Sequence, residues 1–174
     1  QTNVMKNRNQ YILFVVVVLL VQVLLLNNLT FSPYVAPLAY IVLIIMTPLG
    51  TSPLKMIFVG LMVGTLMDIT MGTVGINVLA TLPLAYFRRP ILHFFGSYID
   101  MDGEGGVPTS LRLTGFHNYV VAMVVLHCLL FFGFEHLTTA NFGYIALRFV
   151  VSTLISLGVV YFFIGIFTSK LSKR

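Results

Sequence analysis

The stretch from Lys55 to Arg88 reads KMIFVGLMVGTLMDITMGTVGINVLATLPLAYFR, and it decides the predicted fold. Two apolar runs lie on either side of a glycine-rich turn at Gly72–Gly75, and the only acidic residue is Asp68. Each run is at or just below the ~20 residues that a helix needs to cross the hydrocarbon core of a bilayer. Cations mark cytoplasmic loops. Here Lys55 and Arg88 stand at the two ends of the stretch, and the turn contains no cation. The stretch therefore predicts a helical hairpin that crosses a membrane twice.

The whole chain has the same apolar character. Of its 174 residues, 58% are hydrophobic and 9% are charged, whereas soluble domains contain about 25% charged residues. A soluble fold of this size could not hide so much apolar surface from water. The chain is therefore predicted to be a single integral membrane domain, residues 1–174, with an all-α fold. The net charge of +5 is spread singly or in pairs and does not indicate nucleic-acid binding, and the lone Cys128 excludes an internal disulfide.

The apolar runs predict six transmembrane helices, at about 11–27, 34–48, 53–71, 74–88, 117–135 and 144–168, with a cytoplasmic loop at about 89–116. The second, third and fourth helices are short, and taken singly each is compatible with a re-entrant segment. Lys6 and Arg8 before the first run resemble the start of a signal peptide, but no small-residue cleavage pattern follows. We therefore expect an uncleaved first helix. Whether residues 1–4 belong to the natural protein is left open by the sequence.

The positions of the cations favour six spans over fewer. Nine of the ten lie at alternate connections or at the ends of the chain: Lys6, Arg8, Lys55, Arg88, Arg89, Arg112, Lys170, Lys173 and Arg174. The intervening connections contain no Lys or Arg, and merging two short helices would break this alternation. The pattern predicts that both termini are cytoplasmic.

Glycines in the deciding stretch recur every four residues with Asp68. Gly60, Gly64, Asp68 and Gly72 would share one helix face, and Gly75 follows in the turn. Small residues at this spacing allow two helix backbones to approach closely. The four glycines are predicted to mediate helix packing or partner binding.

Four polar side chains within or beside the predicted spans are candidate structural or functional groups: Asp68, Asn77, Glu135 and Arg148. A charge at the centre of a span costs ~3 kcal/mol, so it indicates a function by default. Asp68 and Arg148 lie at similar depths from the outer side, and we expect them to form a buried ion pair. Glu135 is a rival partner for Arg148, and snorkelling of both charges to the interface is the structural alternative. Ser152 and Ser156 extend a polar stripe from Arg148 along the last helix.

No set of residues predicts catalysis, a cofactor or a metal. His127 and Cys128 are adjacent in a helix and so do not face each other, which favours packed, hydrogen-bonded residues over a nucleophile and its base. The segment Asp100–Gly106 resembles part of a calcium-binding loop but lacks the remaining ligand positions.

The glycine-spaced segment Gly60–Asn77 resembles the corresponding helix and turn of the MreD family, small membrane proteins of the bacterial rod-shape machinery. Gln22 near the end of the first helix, followed by Asn27 and Asn28, is also similar to that family. The resemblance implies a non-enzymatic scaffold in the bacterial inner (cytoplasmic) membrane that binds MreC. It also implies RodA, a class B transpeptidase and MreB in the wider elongation complex. The implied fold is similar to that of the S-components of energy-coupling-factor transporters.

A true S-component, which binds a vitamin for uptake, is the alternative from another class. Such proteins use an Ala-x-x-x-Ala face on their first helix, and the first helix here contains no alanine. The alternative would use Asp68, Asn77, Glu135 and Arg148 to line a ligand pocket. A membrane enzyme is a further alternative, with no motif to support it.

Overall fold

A computed structural model of the chain describes residues 2–28, 35–95, 115–137 and 142–172, with side chains described from Tyr11 to Thr168 within these ranges. The described residues form helices and turns, without a strand. The helices are α1 (Thr2–Leu24), α2 (Ile41–Ile45), α3 (Pro53–Met71), α4 (Ile76–Phe95), α5 (Phe116–His136) and α6 (Phe142–Ser172), and a 3-10 turn at Leu26–Asn28 follows α1.

Four helical stretches in the described residues are long and apolar enough to cross a membrane: Tyr11–Asn28, Pro53–Met71, Phe116–His136 and Phe142–Thr168. The chain is therefore an all-α membrane protein, as its composition predicts. α4 is 20 residues long but carries two arginines and two prolines, which lower its apolar character. α2 has only five residues and is too short to cross a bilayer as a helix.

The predicted second helix, at about 34–48, is wrong in its extent. Residues 35–38 have no regular structure, and helical geometry is limited to Ile41–Ile45. Pro37 cannot donate a backbone hydrogen bond and disfavours helical backbone at Ala36 before it. Pro48 has the same effect after the short helix. Residue 34 lies outside the described residues.

The predicted boundary between the fourth helix and the loop at about 89–116 is also wrong. α4 continues through Arg89 and Pro90 to Phe95. A proline in a membrane helix removes one hydrogen bond, and packing against neighbouring helices offsets that loss. α4 packs along both α3 and α5. Residues 96–114 of the predicted loop, with the calcium-like segment, lie outside the described residues.

The centre of the bundle is occupied by residues 36–47, which we call the central segment and which include α2. Residues 38–46 are at most 1% exposed. The segment contacts α3, α4, α5 and α6, and it hydrogen-bonds to side chains of α1. Five long helices thus surround a short, largely irregular stretch of backbone.

The central segment runs parallel to α4 and α6 and antiparallel to α1 and α5. Its successive residues meet partners whose numbers rise along α4 and α6 and fall along α1 and α5. These partners are Ser152 then Ser156 on α6, Asn77 then Arg88 on α4, Gln22 then Tyr11 on α1, and His127 then Tyr119 on α5. Since α3 and α4 are joined by a tight turn, the chain direction alternates through all six elements.

Two glycines of the predicted stripe hold α3 against α4. A Cβ atom at Gly60 would lie 2.9 Å from Cβ of Ala85, and one at Gly64 would lie 2.8 Å from Cα of Val78. Real Cβ atoms do not approach other heavy atoms so closely, so a larger residue would force the helices apart. Close backbone contact between α3 and α4 therefore depends on glycine at these two positions.

Candidate functional site

The irregular backbone that precedes α2 is satisfied by side chains from distant helices. Backbone N–H of Ala36 donates to Oγ of Ser152 at 3.0 Å, and that of Leu38 donates to Oγ of Ser156 at 2.9 Å. Non-helical backbone is tolerated at membrane depth only where protein groups replace the missing helical hydrogen bonds. Ser152 and Ser156 of α6 supply these replacement hydrogen bonds.

Gln22 of α1 supplies the next hydrogen bonds along the segment. Its Oε1 accepts from the backbone N–H of Ala39 at 2.8 Å and of Tyr40 at 3.2 Å. Its Nε2 donates to the carbonyl of Pro37 at 3.1 Å and to Oδ1 of Asn27 at 2.8 Å. The side chain is fully buried, so one amide group satisfies three backbone groups that would otherwise lie in an apolar interior.

The far end of the central segment is bound by a cation and a tyrosine. Arg88 donates to the carbonyl of Thr47, and the hydroxyl of Tyr119 donates to the carbonyl of Ile45 at 3.1 Å. Carbonyl groups at a helix C-terminus lack intrahelical partners and carry partial negative charge. Arg88 is only 3% exposed. The sequence predicts it to be a loop cation, whereas it is a buried structural group on α4.

Asp68 caps α4 from the end of α3. Its Oδ1 accepts from the backbone N–H of Asn77 at 2.9 Å, from Nδ2 of Asn77 at 3.1 Å and from the hydroxyl of Thr73 at 2.6 Å. Its Oδ2 accepts from the backbone N–H of Val78 at 3.0 Å. A carboxylate at this position satisfies N–H groups of the first helical turn and complements the positive end of the helix dipole.

Asn77 connects this cap to the core. Its Oδ1 accepts from the hydroxyl of Tyr40 at 2.7 Å, and that hydroxyl also lies 3.1 Å from Nε2 of His127. All three side chains have 0% exposure. A hydrogen-bonded chain thus runs from Asp68 through Asn77 and Tyr40 to His127 and joins α3, α4, the central segment and α5.

Arg148 forms its ion pair with Glu135 and not with Asp68, so the predicted Asp68–Arg148 pair is wrong. The Glu135 carboxylate lies at the end of α5 and the Arg148 guanidinium at the start of α6, and both side chains are about one-fifth exposed. The guanidinium also lies 5.7 Å from the ring centre of Phe132, a cation–π distance. The Asp68 carboxylate instead accepts hydrogen bonds from Thr73, Asn77 and Val78 at the start of α4.

Gly72 and Gly75 have a different role from the packing glycines. Their φ angles are +67° and +80°, and no atom lies within 4 Å of a Cβ built at either position. Gly72 ends α3 in the left-handed conformation, which glycine adopts without strain. These two residues form the turn that brings Asp68 to the start of α4, and they do not mediate the close contact between helices.

The arrangement binds backbone and does not present a reactive group to solvent. His127 and Cys128 are fully buried, and His127 faces Tyr40. Within the described ranges, no three His, Cys, Asp or Glu side chains are placed to bind a metal ion.

Comparisons of the chain with protein families, with characterised proteins and with solved structures give no match. The family resemblance drawn from Gly60–Asn77 and Gln22 therefore rests on those sequence residues alone.

Sequence reasoning identified Gln22, Ser152 and Ser156 as polar residues but missed their partners, and it missed the buried roles of Arg88 and Tyr40. Gln22 and the serines at four-residue spacing are visible as polar interruptions of apolar runs, but their partners are backbone groups that carry no side-chain signal. Arg88 was hidden because the two-arginine pair before a proline is typical of a loop. Tyr40 gave no signal of its own, since tyrosine is also common at membrane interfaces.

Proposed function

We propose that this protein is a non-enzymatic scaffold of the bacterial cell-elongation machinery, of the MreD type, which binds MreC in the cytoplasmic membrane. The observation that carries the proposal is that the four candidate polar residues of the sequence bind groups of the protein itself. Asp68 caps α4, Asn77 joins Tyr40, and Glu135 pairs with Arg148. With its interior engaged in this way, the molecule acts through its surface.

The alternating directions of the elements support six passages through the membrane, with the central segment as the second. Counting α1 as outward, the central segment returns, and α3 to α6 alternate after it. Lys55, at the start of α3, and Arg89, in the last turns of α4, then lie at the same end as both termini of the chain. This distribution of charge supports cytoplasmic termini.

The opposite, outer end carries exposed apolar side chains that suit a protein partner. Ile69 and Val74, at and after the end of α3, are 74% and 97% exposed, and Leu137 and Phe142, between α5 and α6, are 82% and 71% exposed. A contiguous exposed apolar patch marks a site of protein or membrane interaction, and we assign these side chains to contact with a protein. MreC, an elongated protein of the outer side, is the partner that the family resemblance implies, with RodA, the transpeptidase and MreB in the wider complex.

The vitamin-binding alternative needs polar groups that are open to a ligand. The four residues that would line its pocket form two internally bonded sets, Asp68 with Asn77 and Glu135 with Arg148. Tyr40 and Met46 are fully buried between the helices and occupy space that a ligand cavity would require. These features favour the scaffold.

Co-purification with MreC from mild detergent tests the proposal. We expect the unmodified protein to retain MreC. Val74→Asp should lower MreC affinity at least about tenfold, a change of ~1.4 kcal/mol, because it places a charge in an apolar contact. Phe94→Asp is the matched control, since Phe94 is 82% exposed and lies at the opposite end of the bundle.

Reaction of a thiol-specific dye with Cys128 reports folding of both variants, because this only cysteine is fully buried. Equal loss of MreC binding in Val74→Asp and Phe94→Asp would refute the outer end of the bundle as the MreC-binding surface. Failure of the unmodified protein to retain MreC would refute the scaffold, and recovery of transporter T-subunits and ATPases would establish the alternative.

A further inference from the structure

A small cavity lies between the start of α3 and the last turns of α4. Its volume is about 20 Å³, and it is lined by residues that include Thr51, Met56, Arg88, Arg89 and Leu92. This volume accommodates about one water molecule. The cavity lies at the end of the bundle that also carries Lys55, so three cationic side chains belong to this region.

The two acidic side chains that the structure describes, Asp68 and Glu135, lie toward the other end of the bundle and do not compensate the positive charge here. Arg88 is 97% buried, from its 3% exposure, and its Nε has no hydrogen-bond partner among the described residues. Ser52 precedes α3 without a side-chain capping bond, and Pro53 follows it, so the N–H groups of Leu54 and Lys55 at the start of α3 have no side-chain cap. A helix N-terminus beside arginine side chains attracts a phosphate group.

An apolar groove lies beside the cavity on the outside of the bundle, and Tyr86 lines both. The groove has a volume of about 500 Å³ and is further lined by Ile57, Leu79, Leu82, Pro83, Phe87 and Phe134. From Leu79 to Phe87 it follows α4 for ~12 Å. No side chain that lines it is charged, so it suits a hydrocarbon chain.

We propose that one anionic phospholipid binds here, with its phosphate at the exposed guanidinium of Arg89 beside the cavity and an acyl chain in the groove along Tyr86. Charge complementarity decides the occupant: a partner helix would fill the groove but would not require the cations beside it. Basic pockets between membrane helices on the cytoplasmic side bind anionic headgroups. The site does not depend on MreC or on the scaffold role.

Native mass spectrometry of the purified protein tests the site, with dioleoylphosphatidylglycerol and dioleoylphosphatidylcholine as probes. We expect the anionic lipid to bind at least about fivefold more tightly, the factor that one cation near a membrane surface contributes. Arg89→Gln should remove most of this preference, because Arg89 is exposed and its loss leaves the structural role of Arg88 intact. Leu79→Trp should weaken the binding of both lipids, because the larger side chain fills the groove.

Two control variants should bind as the unmodified protein does: Lys170→Gln, which removes one cation elsewhere in the sequence, and Leu154→Trp on the exposed face of α6, where Leu154 is 65% exposed. Dye reaction with Cys128 again verifies folding. Equal binding of the two lipids, or an unchanged preference in Arg89→Gln, would overturn the proposal. Displacement of the anionic lipid by inorganic phosphate, or full binding in Leu79→Trp, would show an anion cavity and overturn the lipid as its occupant.

Discussion

Removal of the Asp68 carboxylate tests the cap on α4 most directly. In Asp68→Ala, the backbone N–H groups of Asn77 and Val78 lose their acceptors, and so does the hydroxyl of Thr73. A buried donor left without a partner costs about 1–3 kcal/mol, and loss of a helix N-cap costs ~1 kcal/mol. Since Asp68 is 8% exposed, water replaces the carboxylate poorly. We expect a loss of about 3 kcal/mol in the free energy of unfolding.

Asp68→Asn separates the cap from the charge. The amide retains one oxygen that accepts a hydrogen bond, but its NH₂ group faces the N–H of Asn77 or Val78 and cannot accept from it. We therefore expect a loss about half that of Asp68→Ala, since part of the hydrogen bonding survives and the interaction with the helix dipole does not.

Unfolding in mixed micelles by added SDS, followed by circular dichroism, gives these free energies. The chain contains no tryptophan, and Cys128 is its only cysteine, so the rate of dye reaction with this buried thiol provides an independent measure of opening. Loss of less than about 0.5 kcal/mol in Asp68→Ala, the range of an ordinary surface substitution, would refute the cap.

A double-mutant cycle distinguishes the cap from the ion pair that the sequence predicts. Asp68→Leu and Arg148→Met should add within about 0.5 kcal/mol, because the two residues share no partner. Glu135→Leu and Arg148→Met should instead couple, because removing one member of an ion pair leaves a charge behind. Recovery of stability in the Asp68–Arg148 double variant would show that the two charges interact after all.

Two further substitutions test the packing and the central segment. Gly64→Leu should destabilise the protein by at least the ~1–3 kcal/mol typical of overpacking. The control Gly133→Leu should have little effect, because no atom lies within 4 Å of a Cβ built at Gly133. Equal thermal stabilities of the two variants would refute the close contact of α3 and α4. Gln22→Leu should cost about 2–4 kcal/mol in SDS unfolding, because two backbone N–H groups lose their acceptor, while Leu24→Ala, at a position 63% exposed, should remain within about 1 kcal/mol of the unmodified protein. Comparable losses in these two variants would exclude a special role for Gln22.

The sequence predicted the parts of the fold that depend on local pattern. The bounds of α3 and the turn at Gly72 and Gly75 follow from residue spacing within one hairpin. The glycine spacing also predicts a close contact at Gly60 and Gly64, but it left open whether a helix of the chain or a partner makes that contact. The membrane character of the chain follows from its composition. These features involve residues that are close in sequence, so a local reading contains the required information.

The central segment could not be predicted in this way. Hydropathy measures preference for an apolar environment, and residues 38–46 occupy one whether they face lipid or protein. Pro37 and Pro48 disfavour helix locally, but an irregular backbone at this depth also requires hydrogen bonds from Gln22, Ser152 and Ser156, which are distant in sequence. The predicted pair between Asp68 and Arg148 was wrong for a related reason. Depth in the membrane does not specify which side of a helix a charged side chain faces, and the Asp68 side chain faces the start of α4.

The central segment has a consequence for biogenesis. Its backbone N–H groups at Ala36 and Leu38 bind side chains that are synthesised more than a hundred residues later. Until α6 emerges from the ribosome, those groups have no acceptor in a lipid environment, which opposes their exposure there. The native conformation of the segment is therefore completed only when α6 is in place. Before then, these N–H groups need other acceptors, such as water at the membrane surface or carbonyl groups of the segment itself.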